Sequence, residues 1–184
     1  MSGTGTILES LLAAGLPVVV VVADRPCRGL AVAGEAGIEA VLADRLDWGG
    51  YGPAFDRAGY TEAVTEVLVA HHPDLVAMAG FGTVLAEPVH AAFPGRILNT
   101  HPALLPAFPG WRAVEDALAA GVTVTGCTVH VATLEMDAGP VLAQEEVPVL
   151  PGDTVETLHE RIKEVERRLY PETVRRALAG VVRA

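Results

Sequence analysis

The spacing of hydrophobic positions changes several times along this chain, and each change marks an element. Ile7, Leu8, Leu11 and Leu12 recur at the i, i+1, i+4, i+5 spacing of one helix face and predict an opening helix. Leu16–Asp24, whose apolar run from Leu16 to Ala23 includes the β-branched Val18 to Val22, predicts a buried strand. A short helix over Leu30–Gly37, ending at its glycine, and a second strand over Ile38–Ala43 follow. Asp44–Pro53 reads as an irregular loop. Tyr60–His71 reads as a helix with Ala63, Val64, Val67 and Leu68 on one stripe. Asp74–Ala79 predicts a third strand. Thr83–Phe93 predicts a helix that Pro88 breaks or shortens, and Arg96–Asn99 a fourth strand. Gly110–Ala120 reads as a helix, and Val122–Ala132 and Val141–Val149 as two longer strands, the latter exposed at Glu145 and Glu146. Asp153-Thr-Val-Glu156 resembles a capping box. It opens a long helix with Val155, Leu158, Ile162, Val165 and Leu169 on its apolar face, which Pro171 is expected to bend or end before a second piece reaches Ala179.

Strands and helices alternate through the first half, which predicts an α/β class: a doubly wound, Rossmann-like, mostly parallel sheet. No repeat, low-complexity linker or composition shift divides the 184 residues, so one domain over 1–184 is expected. The chain is 51% hydrophobic with a mean hydropathy of +0.37, yet no apolar run approaches the roughly 20 residues of a membrane span. The start has neither a basic region nor an apolar one of signal-peptide type. Cys27 and Cys127 have no metal-like spacing and predict a reducing, cytoplasmic setting. The net charge of −10 argues against a nucleic-acid surface. It also means that any anionic small substrate must be recognised by local donors such as a helix N-terminus.

The chemistry concentrates in Arg96-Ile-Leu-Asn-Thr-His-Pro-Ala-Leu-Leu-Pro-Ala-Phe-Pro-Gly110. Asn99 and His101 are two apart, so on an extended chain they face the same side. Pro102, Pro106 and Pro109 cannot lie in a continuing strand, which places the pair where a strand stops and a stiff loop begins. An amide donor beside an imidazole suits acyl-group chemistry. Asp137, in Leu134-Glu-Met-Asp-Ala-Gly-Pro140, is either a turn aspartate or a carboxylate that orients His101. Gly3-Thr-Gly-Thr6 before the first helix is either a phosphate cradle or a plain helix cap.

Asn99-Thr-His-Pro-Ala-Leu-Leu-Pro followed by Met136-Asp-Ala-Gly-Pro is similar to the signature of the folate-dependent formyltransferases. Ser2-Gly-Thr-Gly, Pro73-Asp-Leu-Val with Ala79-Gly-Phe81, Gly121-Val-Thr-Val-Thr-Gly-Cys-Thr-Val-His130, Gln144 to Val149, and the stretch from Gly152 to Pro171 extend the likeness over nearly the whole chain. The glycine loop and the helix bearing Lys163 and Glu166 resemble the branch that acts on glycinamide ribonucleotide. The resemblance implies the formyltransferase fold, with an antiparallel C-terminal part, a phosphate-binding half over about 1–95 and a folate and catalytic half over about 96–184. It implies formyl transfer from 10-formyltetrahydrofolate, as co-substrate, to the amine of glycinamide ribonucleotide in purine biosynthesis, without a metal.

By resemblance, Asn99, His101 and Asp137 are catalytic. Gly3, Thr4, Gly5, Thr6 and Ile7 hold the substrate phosphate. Glu166 holds the ribose, with Lys163 either helping or forming an exposed i, i+3 pair. Phe81, Gly82, Thr83, Val84 and Leu85, with Val131, Ala132, Leu134, Glu135 and Met136, cradle the folate. His130 either supports the Asp137 loop or is a satisfied core histidine. His71, His72, His90 and His159 read as surface residues, and Cys127 as a small apolar filler. The partners expected are those two small molecules, with no nucleic acid or membrane, in a monomer or homodimer. Four departures stand out. The family places a strand ahead of the glycine loop, so the start is expected to be misplaced or the sequence to omit those residues. Ile7 stands where the family has asparagine. Gly82-Thr83 replaces a Met-Arg and removes a basic residue. Trp111-Arg112 replaces a polar segment, with Arg112 either an anion donor or a solvated helix-start residue. A related formyltransferase with a sugar-nucleotide or amino-acid acceptor, a formyltetrahydrofolate hydrolase, and a non-catalytic ligand-binding domain are the alternatives.

Overall fold

A computed structural model describes residues 1–180; the last four residues of the expected 1–184 domain lie outside them. The chain forms two compact units, Met1–Ile97 and the part that begins at Leu98.

In the first unit, α1 (Thr6–Ala13), β1 (Val20–Ala23), α2 (Arg28–Glu35) and β2 (Glu39–Leu42) form a βαβ arrangement preceded by a helix, with β1 and β2 parallel. Its apolar cluster joins Leu8 of α1, Val21 and Ala23 of β1, and Val32 and Ala33 of α2. The strand expected over Leu16–Asp24 is only four residues long, with alternating rather than continuous burial. Val19 is 50% exposed. The chain approaches the strand through Pro17, which has no N–H to give a ladder. A 3₁₀ turn over Arg45–Trp48 and α3 (Arg57–Ala70) follow, the latter capped by Asp56, whose carboxylate accepts from the Gly59 N–H. β3 is reduced to Val76–Ala77, and Val76 N–H donates to the Arg96 carbonyl. The helix expected over Thr83–Phe93 is shortened rather than broken at Pro88. That proline sits in the first turn of α4 (Glu87–Ala92), where the missing N–H has no helical partner to lose.

Met1 donates its N–H to the Val22 carbonyl and accepts from Asp24 N–H, while Ser2 N–H donates to the Gly80 carbonyl.

The second unit is built on an antiparallel run of β4 (Ile97–His101, entering the unit at Leu98), β5 (Val124–Val131) and β6 (Val141–Pro148). Parallel pairing in the first unit and antiparallel pairing here give an α/β fold with the expected antiparallel C-terminal part. β5 is buried along nearly its whole length rather than on alternate residues. It lies between β4 and β6, and α6 (Val155–Leu178) covers it. α5 (Ala113–Ala119) also packs on α6.

Two features of α6 depart from the expected pattern. The cap is Thr154 rather than Asp153, and its reciprocal partner is Thr157 rather than Glu156. Asp153 is committed elsewhere, accepting from Leu150 N–H and from both terminal nitrogens of Arg161. Pro171 lies inside an uninterrupted helix. An interior proline costs about 3 kcal/mol. Leu169, Tyr170, Thr173 and Val174 are all buried around it, and the Tyr170 hydroxyl donates to the Leu98 carbonyl. Burying each large apolar side chain is worth about 1.5–3 kcal/mol, so together they outweigh the proline's cost.

Candidate active site

β4 runs two residues further than the sequence pattern suggested, so His101 as well as Asn99 lies in the strand. The antiparallel ladder decides this: Asn99 pairs with His130 and His101 with Thr128, and pairing stops where Pro102 has no N–H. The ladder sets His130 directly opposite Asn99, and the two side chains meet, Asn99 Nδ2 lying 3.3 Å from His130 Nε2.

The loop after β5 brings a carboxylate to the same place. Asp137 Oδ2 is 3.4 Å from His101 Nδ1, and its Oδ1 is 3.6 Å from His130 Nε2. Oδ2 also accepts from the Gly110 N–H at 2.8 Å. The carboxylate thus clasps the end of the proline loop and two histidines at once. Its backbone is held in the left-handed region, φ 57°, by a turn that needs Gly139: a Cβ there would strike the Val131 carbonyl. This explains the Asp-x-Gly spacing in physical terms.

His101 and His130 are 4% and 1% exposed, and the Asp137 side chain 7%. His101 Nε2 donates to the Phe108 carbonyl at 2.8 Å, since a carbonyl can only accept. Both ring nitrogens of His101 therefore face oxygen acceptors. Burial pushes the His130 imidazole below its ordinary range, against the smaller opposing effects of the Val131 carbonyl and Asp137.

The prolines do not stiffen the loop alone. The buried Thr128 hydroxyl donates to the Ala103 carbonyl at 2.6 Å and accepts from Leu105 N–H at 3.0 Å. Gln144 Nε2 donates to both Thr128 Oγ1 and the Leu105 carbonyl. Thr128, Gln144, the Phe108 carbonyl and the Gly110 N–H carried no role in the sequence reading. Thr128 offered one signal, a hydroxyl on an otherwise buried strand, which must find partners.

Glu166 does not enter the Asn99–His101–Asp137 bonds. Burial raises its pKa above the usual carboxylate range, against a smaller opposing effect of the Thr100 hydroxyl, between Asn99 and His101 in β4. Thr100 Oγ1 also contacts Cys127 Sγ at 3.4 Å, and burial pushes that thiol up to about 12, leaving it an inert filler. Lys163 pairs with Glu160 at 2.8 Å rather than with Glu166. Val131 is buried and Ala132 half-buried, while Leu134, Glu135 and Met136 are exposed along a loop tied by the Thr133 hydroxyl to the Glu135 carbonyl. Arg112 is exposed and paired with Asp116 at 3.8 Å.

In the first unit, Gly3 and Thr4 are exposed ahead of α1, and Gly5, φ 80°, closes against Gly29, where a Cβ would touch its backbone. Arg28 Nη1 donates to the Thr4 carbonyl at 2.7 Å. The Ile7 side chain is buried, which leaves only its backbone N–H for a ligand. Phe81, Gly82 and Val84 are half-buried. Thr83 and Leu85 are buried, and the Thr83 hydroxyl donates to Asp24 and accepts from Arg45. His71, His90 and His159, expected at the surface, are half-buried, and His72 is exposed.

The sequence model of the formyl transferase family matches residues 2–174. The chain is 50% identical over 178 residues to the phosphoribosylglycinamide formyltransferase of Mycobacterium tuberculosis, covering 94% of this chain and 80% of that one. It is 41% identical over 189 residues to the trifunctional purine biosynthetic protein adenosine-3 of Gallus gallus, covering 99% of this chain and 18% of the larger protein. Its fold superposes on the crystal structure of glycinamide ribonucleotide transformylase 1 from Symbiobacterium toebii with a TM-score of 0.92 and 43% identity, over 98% of this chain and 85% of that one. A family match of this extent, with half the residues shared over nearly the full length, means that this chain belongs to the formyl transferase family and, within it, to the phosphoribosylglycinamide formyltransferases.

Proposed function

We propose that this protein transfers a formyl group from 10-formyltetrahydrofolate to the amine of glycinamide ribonucleotide, a step of purine biosynthesis. The observation that carries the reading is the junction of Asn99, His101 and Asp137, in which an amide and a carboxylate-backed imidazole share one face of β4. In the reaction the acceptor nitrogen attacks the formyl carbon and forms the new C–N bond. Negative charge develops on the formyl oxygen, and the bond from that carbon to the folate nitrogen then breaks. Asn99 Nδ2–H donates to the developing oxyanion. His101 supplies a second donor, Nε2–H, whose proton the Phe108 carbonyl holds and for which a substrate oxygen competes. Asp137 offsets the positive charge of the protonated ring and keeps it oriented. The proton lost by the acceptor nitrogen reaches the folate nitrogen through this pair.

The proposal assigns the substrate phosphate to the N–H groups of Gly3 to Ile7, where a helix N-terminus supplies donors that the −10 net charge does not. It assigns the ribose hydroxyls to Glu166, with Lys163 nearby on α6, and the folate to the segments Phe81–Leu85 and Val131–Met136. The two compact units are taken to act as one formyltransferase domain. Among the described residues no helix is long and apolar enough to cross a membrane. We place the protein in the cytoplasm, where its free Cys27 and Cys127 stay reduced, acting on small molecules as a monomer or homodimer.

The test is a formyl-transfer assay with purified protein, glycinamide ribonucleotide and 10-formyltetrahydrofolate, run beside water alone and beside sugar-nucleotide and amino-acid amines. Formyl transfer to glycinamide ribonucleotide at the highest kcat/KM supports the reading. Faster release to water or to another amine overturns it.

A further inference from the structure

We propose that His130 is a positioning residue that fixes which end of the Asn99 amide faces the reacting formyl group, by accepting a hydrogen bond from Asn99 Nδ2. The inference rests on the function proposed above and adds a requirement to it. A carboxamide has a donor end and an acceptor end of the same shape, and only the donor end stabilises an oxyanion. Something in the site has to choose between them.

The choice follows from donor and acceptor arithmetic. His130 Nδ1 lies 3.1 Å from the Val131 carbonyl, and a carbonyl only accepts, so Nδ1 carries the proton. In the neutral ring Nε2 is then an acceptor. Two groups approach it: Asn99 Nδ2 at 3.3 Å and the Asp137 carboxylate at 3.6 Å. The carboxylate cannot donate, so the bond comes from the amide nitrogen. One N–H of Asn99 is spent on His130, and the other N–H of the same nitrogen remains for substrate. The arrangement is rigid at every joint. His130 is buried, Asn99 and His130 are a directly opposed pair of the β4–β5 ladder, and Gly139 lets the turn pass close to the Val131 carbonyl that fixes the tautomer.

Protonating His130 reverses the logic. Both nitrogens become donors, Nε2–H turns to Asp137 Oδ1, and Asn99 Nδ2 loses its acceptor. The amide is then free to rotate and present oxygen to oxygen, which repels the oxyanion. The charged and titratable groups that face His130 are Asp137 from the following loop and His101 from β4, while its β6 neighbour Val141 carries no charge. Burial favours the neutral ring and with it the working tautomer.

The first test needs no turnover and so stands apart from the assay of the proposed function. Ring ¹⁵N NMR of the intact protein at pH 7.5 is expected to show His130 protonated at Nδ1 and bare at Nε2; a proton on Nε2 overturns the proposal. The second uses kinetics. His130→Leu removes the acceptor, and kcat is expected to fall about 50-fold with KM for both substrates within about threefold, short of the 10²–10³ seen when an oxyanion donor is deleted outright. His130→Gln restores an acceptor oxygen that cannot titrate. It is expected to recover kcat to within about fivefold of the parent and to remove the His130 contribution from the acid limb of the kcat profile. In an Asn99→Ala background, His130→Leu should cost less than about twofold more, because the two act as one unit. Equal losses in His130→Gln and His130→Leu, or full additivity with Asn99→Ala, would overturn the proposal.

Discussion

At the scale of single residues, the site is a set of side chains that each satisfy another. Asn99 is held by His130, His101 by Phe108 and Asp137, and Asp137 by Gly110. Removing one donor from such a set costs mostly at the transition state. Asn99→Ala is expected to lower kcat about 100- to 1000-fold with little change in KM, measured in the formyl-transfer assay. Glu166 shows the opposite balance between stability and use. Its folded pKa is raised by burial, so folding holds the carboxyl proton more tightly than the unfolded chain does. The charged form is therefore a cost to the fold at pH 7, and stability falls as pH rises through the ordinary carboxylate range. Glu166→Gln is expected to melt at a higher temperature than the parent at pH 7 and to lose that advantage at pH 4, while its KM for the ribonucleotide rises.

At the scale of elements, the local signals were strongest where one residue alone decides the outcome. Gly37 marked the end of α2, whereas Pro88, expected to break or shorten a helix over Thr83–Phe93, lies in the first turn of a shorter one. They were weakest where several residues compete for one role. Asp153 and Thr154 both suit an N-cap, and Asp153 loses that place because Arg161, two turns along α6, claims its carboxylate. Thr154→Ala is expected to cost about 1 kcal/mol in urea unfolding, the usual value of a lost side-chain cap. Pro171 is expected from the sequence to bend or end the helix and does not end it, since a window of sequence shows the missing N–H but not the buried neighbours that hold the helix together. The opening strand failed in the other direction. Five valines predict a long buried strand, but only four residues, from Val20, pair with β2.

At the scale of the whole molecule, histidines partly or wholly withdrawn from water shape the response to acid near neutrality. Burial pushes His90, His130 and His159 below their ordinary range, while the Val67 carbonyl and Glu39 raise His71. For the three lowered groups the unfolded chain binds protons more readily than the folded one. Their contribution is fully present above an unfolded pKa of about 6.5 and is lost as pH falls below it. His71 has the opposite sign and opposes them only in part. Urea midpoints are expected to decline from pH 7 to pH 5, and a His90→Gln, His159→Gln double variant should flatten that decline.

The sequence by itself determined the α/β class, the proline loop, and the residue types that can do acyl chemistry. Those depend on periodicity, missing N–H groups and functional groups, all of them local properties. Asn99 and His101 share a face because a strand alternates, and no tertiary contact is needed to know it. Only the tertiary structure decided what those residues meet. Register across β4 and β5 put His130 opposite Asn99 and Thr128 opposite His101. The turn at Gly139 returned Asp137 to both histidines from 36 residues beyond His101. Register and loop return depend on pairing between segments far apart in the chain, so what Asp137 and His130 meet is decided by packing rather than by their neighbours in sequence.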